Sequence, residues 1–193
     1  IATNEQILLG HSKKYVEFME NIQHSSHITD LDADPFFGKG SLNAAKRGVG
    51  ANISAVNAVM SGDFNNAFSA IRPPGHHAET EKAMGFCIFN NVAIAAKYAI
   101  ENHKLKRVAV VDFDVHHGNG TQEILWDDPN VLFVSTHQMP LWPGSGTHEE
   151  HGNHQNILNI PIQANTDGPA FRQKFDEIIL PRLDSYKPEI LII

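Results

Sequence analysis

The sequence predicts an α/β domain, a parallel sheet with helices on both faces. Short apolar runs fit for buried strands recur at 107–116, in NVLFVST, in NILNIPI and in PEILII. Segments with apolar residues at helical spacing lie between them, and such alternation is the pattern of parallel strands joined by crossover helices. Neither a repeat nor a Gly/Ser-rich linker divides the chain, so residues 1–193 read as one domain.

The elements follow in order. Thr3 and Gln6 have the spacing of a capping box, and behind them Ile7, Leu8, His11, Tyr15, Phe18, Met19 and Ile22 recur as one helical face. A polar loop runs to about Gly40. Leu42, Ala45, Val49, Ile53, Val56 and Met60 mark a second helix, ended near Gly62. NAFSAIRPPGHH reads as a short strand stopped by Pro73 and Pro74, and NNVAIAAKYAIENH as a helix. After the strand at 107–116 comes a short helix at 119–126, then the two strands NVLFVST and NILNIPI. Asp167 is placed to cap a helix running to about Asp184, and PEILII is the last strand. The chain starts directly before a helix cap and stops at Ile193 inside an apolar strand. The expectation is therefore a partial domain, cut at its start and above all at its end.

Composition narrows the function. The net charge of −7 and the lack of any Lys/Arg run argue against a nucleic-acid partner, and no apolar run approaches the roughly 18 residues of a membrane helix. One cysteine, Cys87, excludes an internal disulfide framework and fits a reducing, cytoplasmic compartment. Flanked by apolar residues, it reads as a buried small side chain rather than a nucleophile. Homo-oligomerisation is left open. The unusual figure is twelve histidines against fifteen lysines plus arginines, four of them in the pairs His76-His77 and His116-His117.

The stretch RVAVVDFDVHHGNG places Asp112 and Asp114 in an otherwise apolar strand, where an unpaired charge costs several kcal/mol or more. Strand side chains alternate, so Asp112, Asp114 and His116 should share one face, opposite Val111, Phe113 and Val115. Two acids and an imidazole converging at a strand end suit zinc or a similar divalent ion, and ligands of parallel sheets sit beyond the carboxyl ends of the strands. The competing reading satisfies the acids with helix N-termini and arginine. RPPGHHAE is ambiguous alone: paired histidines at a turn serve as ligands, as an acid/base pair, or as a solvated loop. In PLWPGSGTHEEHGNH, Trp142 suits a pocket wall, while His148, His151 and His154 lack metal-ligand spacing and read as a solvated loop.

Taken together, RPPGHHAE, MGFCIFNNVAIAA, VAVVDFDVHHGNGTQ, LWPGSG and NILNIPI resemble the histone deacetylase superfamily from about Ser41 onward. The likeness is strongest to its class II-like branch of bacterial histone-deacetylase-like amidohydrolases and acetylpolyamine deacetylases. The resemblance implies the arginase/deacetylase fold and zinc-dependent removal of acetyl groups from an acetyl-lysine peptide or an acetylated polyamine. It makes Asp114 and His116 two of three zinc ligands, and His76 and His77 the tandem histidines, with His77 as general base and acid. Asp112 would bond His76, and Asn119 would face His77. Gly85, Phe86 and Trp142 would line the acyl channel, with Trp142 standing where the family usually has Phe. Backbone carbonyls of Asp112, Asp114 and His116, with Ser135 and Thr136, would form a structural potassium site. Asp32 or Asp34 would match an acid at the rim. The third zinc ligand and the transition-state tyrosine would both fall beyond Ile193. Two other readings remain: a catalytically incomplete fragment, and an arginase-like dinuclear manganese hydrolase.

Overall fold

The computed structural model describes residues 1–23, 28–31 and 36–193. Its centre is a four-stranded parallel sheet in the order β5-β4-β3-β6, formed by β3 (Val108–Asp112), β4 (Val131–Gln138), β5 (Ile157–Ile162) and β6 (Ile190–Ile192). Val108 stands opposite Val131 on one side and Ile190 on the other, and Asp112 stands opposite Ser135. These strands are apolar in succession because both faces are covered. Ahead of the sheet lie α1 (Asn4–Ile7), α2 (Lys13–Ile22), the two-residue antiparallel strands β1 (Thr29–Asp30) and β2 (Phe36–Phe37), and α3 (Ser41–Met60).

One face packs Val108, Val110, Val131, Phe133 and Ile157 against Ala93, Ala96 and Ala99 of α4 (Asn91–His103) and Leu125 of α5 (Asn119–Leu125). Alanines let α4 approach the sheet closely, and Asn90 caps it through Ala93 N–H. The other face packs Ala109, Val111, Leu132, Val134 and Ile160 against Ile179, Phe175 and Leu183. Those residues belong to one helical run, α6 (Gly168–Lys174), a π-helical stretch Phe175–Ile179, and α7 (Leu180–Tyr186). Asp167 caps it as its position suggests, through Ala170 N–H. The π-helical stretch precedes Pro181, whose ring has no N–H to give and would crowd the carbonyl four residues back; the wider turn relieves this. Among the described residues no helix is long and apolar enough to cross a membrane.

Three elements differ from the expectations above. The first helix is broken: Ser12 starts a new one by accepting from Tyr15 N–H, and Gly10 lies against Ile94 where a Cβ would clash at 2.9 Å. The break turns His11 inward. The segment 66–72 is irregular rather than a strand, with Phe68 92% exposed. Among the described residues no strand pairs with it, and a lone extended segment has nothing to take its N–H and C=O groups. Finally, β3 ends at Asp112, not at His116.

Candidate active site

That early end is made by the two acids themselves. Asp112 Oδ1 accepts from Asp114 N–H at 3.0 Å, and Asp114 Oδ1 accepts from His116 N–H at 2.8 Å. Each carboxylate bonds the backbone two residues on, which folds the chain into consecutive Asx turns and ends the ladder. Strict alternation therefore fails beyond Asp112, and Phe113 and Val115 are exposed. The D-x-D-x-H spacing carried this signal, since each acid stands two residues before the N–H it binds.

The acids part company. Asp112 is partly buried and its Oδ2 accepts from His76 Nδ1 at 2.8 Å, so an imidazole stands beside its charge. Burial alone would raise the Asp112 pKa, but the His76 hydrogen bond and charge outweigh it and hold the carboxyl below its usual range. Burial pulls His76 down, and the bond to Asp112 with the charges of Asp112 and Asp114 carries it above its usual value. Asp114 is half exposed, with Oδ1 3.2 Å from His116 Nδ1.

His77 is buried, and its Nδ1 lies 2.8 Å from Asn119 Oδ1. The Asn119 amide is oriented by its own donor side, since Nδ2 gives to Glu79 Oε1 at 2.7 Å. The carbonyl oxygen must then face His77, so Nδ1 carries the ring proton and Nε2 keeps a free lone pair. Burial first, then the His76 charge, lowers the His77 pKa to about 4. Sequence reasoning missed Glu79, because nothing in HHAE says that the acid grips Asn119, 40 residues away.

The rings form one cluster. His77 lies 3.9 Å from His76 and 5.9 Å from His116 between centroids, and Trp142 stands edge-on to His77 at 4.6 Å and to His116 at 5.8 Å. Gly85 allows this closeness. It sits at φ +55°, and a Cβ there would run into the His77 ring and lie 2.7 Å from Trp142 Cη2. Phe86, also at positive φ, is exposed beside it.

A metal can be tested against this donor set. A tetrahedral zinc with bonds of about 2.0–2.2 Å needs donors about 3.3–3.6 Å apart. The Asp114 Oδ1 to His116 Nδ1 separation of 3.2 Å is close to that. Two ligands fit; among the described residues no group of three His, Cys, Asp or Glu side chains could hold an ion. Ser135 lies fully buried opposite Asp112, with Oγ 3.0 Å from His137 Nδ1, and the buried Thr136 hydroxyl has no hydrogen-bond partner among the described residues. His148 and His151 are exposed, and His154 pairs with Asp127 at 3.1 Å, away from the site. Cys87 is buried and its thiol is pushed up to about 12, first by burial. Asp32 and Asp34 lie outside the described residues.

A parallel sheet with a histidine-rich polar cluster beyond the carboxyl ends of its strands makes this an α/β protein whose candidate site lies where such sheets bind ligands. The model of the histone deacetylase domain matches residues 1–193, and the chain belongs to the histone deacetylase family. It is 40% identical over 195 residues to a probable deacetylase of Archaeoglobus fulgidus, covering 100% of this chain and 54% of that protein. It is 38% identical over 197 residues to the histone deacetylase-like amidohydrolase of Pseudomonas aeruginosa, covering 100% and 51%. The crystal structure of the HDA15 HD domain superposes with a TM-score of 0.94 at 30% identity, over 98% of this chain and 57% of that one. The chain thus spans about half the length of the relatives it matches.

Proposed function

We propose that the protein to which these residues belong is a zinc-dependent deacetylase that cleaves the amide of acetyl-lysine or an acetylated polyamine. The observation that carries this is the unlike pair of tandem histidines, one on a carboxylate and one on an amide, beside a carboxylate–imidazole pair at donor distance. Asp114 and His116 would hold the metal, which when bound supplies Lewis-acid polarisation of the acyl oxygen and an activated water. His77, neutral with Nε2 free, is fit to take a proton from water and return it to the leaving amine. Asp112 favours the charged form of His76, and burial first, then any charge on His76, favours neutral His77. Trp142, Phe86 and Gly85 form the walls past which a thin methylene chain would enter. Potassium would sit among the carbonyls of Asp112, Asp114 and His116 with Ser135 and Thr136. The Ser135 hydroxyl gives its proton to His137, which leaves its lone pairs for a cation.

The test is zinc-loaded, full-length protein assayed on an acetyl-lysine peptide and on an acetylated polyamine. His77→Ala should lower kcat by about 10²–10⁴-fold. Unchanged turnover in that variant, or after complete chelation, would remove the reading.

A second reading concerns residues 1–193 alone. With two ligands where catalytic zinc sites use three, this segment should bind zinc weakly and show no turnover in the same assay. Robust deacetylation by the isolated segment would refute that.

A further inference from the structure

Behind the cluster lies a hydrogen-bond chain that the reaction does not use. Glu150 Oε1 accepts from Gly146 N–H at 3.0 Å and Thr147 N–H at 2.8 Å, folding the loop that carries Trp142. Its Oε2 accepts from the side-chain amide of Gln122, on α5. A carboxylate only accepts, so the NH₂ group of Gln122 must face Glu150 and its carbonyl must face the other way. That carbonyl meets His117 Nε2 at 3.0 Å and accepts from Asn159 Nδ2 at 2.6 Å. His117 must then carry its proton on Nε2, leaving Nδ1 to accept from the Ser145 hydroxyl at 2.8 Å.

Gly146 closes the stack. At φ +90° it brings its backbone so near that a Cβ would lie 2.6 Å from both the His117 ring and His137 Nε2. Its carbonyl accepts from His137 Nε2 at 2.8 Å. The ring nitrogens of His117 and both ends of the Gln122 amide thus have assigned directions, and one carboxylate sets the order.

We propose that Glu150 is a positioning residue: through Gln122 it fixes the ring tautomer of His117, and so locks the Trp142 loop to the turn bearing His116 and Asn119. Its bearing on turnover rests on the deacetylase reading above; the tautomer assignment does not. Glu150→Gln places an NH₂ group against Gln122. The Gln122 amide should flip, and its NH₂ should then face His117 Nε2, moving the ring proton to Nδ1.

The experiment is long-range ¹H–¹⁵N correlation of histidine rings in the full-length protein. Wild type should show His117 protonated on Nε2, and E150Q on Nδ1, with turnover lowered about tenfold, in the range typical of lost supporting contacts around a site. The double variant Q122E/E150Q puts the carboxylate at 122, where it again accepts from His117 and Asn159. It should restore the Nε2–H tautomer and most of the turnover. An E150Q protein that keeps its proton on Nε2, or a double variant that fails to restore it, overturns the proposal. Should E150Q not fold, the double variant decides alone. If the tautomers switch as stated in a protein with no deacetylase activity, the deacetylase reading fails and the positioning role stands.

Discussion

His76 and His77 are neighbours in sequence with rings 3.9 Å apart, yet the fold treats them oppositely. His76 gives its Nδ1 proton to a carboxylate, and His77 gives the same proton to an amide carbonyl. Both are desolvated, which alone would lower both pKa values. The full charge of Asp112 reverses the effect for His76, while the dipole of Asn119 does not reverse it for His77, left at about 4. Burial pushes both rings the same way, and the acceptor is what separates the directions in which their pKa values finally move. The two are also coupled, because each charge on one ring disfavours charge on the other.

The largest effect should come from removing the charged acceptor. Asp112→Ala leaves His76 without its partner and Asp114 N–H without its acceptor. The variant loses a charge-assisted hydrogen bond, worth about 1.5–3 kcal/mol, and His76 can then shed its proton rather than stay charged and unpaired. Urea unfolding of the variant should show a loss of that order, and a loss below about 1 kcal/mol would mean that the Asp112 contacts to His76 and Asp114 N–H add little to stability.

His11 supplies the comparison with no carboxylate at all. It is 3% exposed, stacks on Tyr15 at 5.1 Å, accepts from Asn90 N–H on Nε2 at 2.9 Å and faces the Thr80 carbonyl with Nδ1 at 3.3 Å. Burial lowers its pKa from 6.5 to about 4. The unfolded chain therefore takes up this proton first as pH falls. The contribution is present above pH 6.5 and is lost as pH drops toward 4, by about 3 kcal/mol at most. His117, also lowered to about 4, has the same sign. The wild-type slope of stability between pH 6.5 and 4 should thus be flattened, not abolished, in His11→Phe. Equal slopes in the two proteins would show that His11 is not held neutral.

Legibility followed chemistry at short range. The D-x-D-x-H-H strand end was visible because a carboxylate in an apolar run demands a partner, whereas RPPGHHAE was ambiguous alone and gained a definite role only through the family resemblance. The sheet was visible because each strand repeats apolar residues without alternation. What stayed hidden was contact across long separations. Glu79 orients Asn119 over 40 residues, and Glu150 orients Gln122 over 28. Neither acid sits in an apolar run, so neither looks costly in the sequence. The Asx turns at Asp112 and Asp114 had a signal in the D-x-D-x-H spacing, but strict alternation overrode it, since alternation assumes that the ladder continues and those side chains end it. The irregular 66–72 segment has the residues of a strand without a neighbour to make it one.

The finest test exchanges one acceptor for the other. Asn119→Asp gives His77 the kind of partner that His76 has, but it also sets a carboxylate against Glu79, whose Oε1 now accepts from Asn119 at 2.7 Å. The repulsion would favour a protonated acid and hide the effect, so the exchange belongs in a Glu79→Gln background, where the new glutamine can donate in place of Asn119. The introduced carboxylate, once ionised, favours protonated His77, and the base is lost at a higher pH. The acidic limb of kcat/KM should move up by about one pH unit relative to Glu79→Gln alone, within the roughly 1–3 units an adjacent opposite charge supplies. The His76 charge opposes the shift and keeps it at the low end. An acidic limb that does not move would mean that the limb belongs to a group other than His77. The neutral amide would then orient the ring without tuning it.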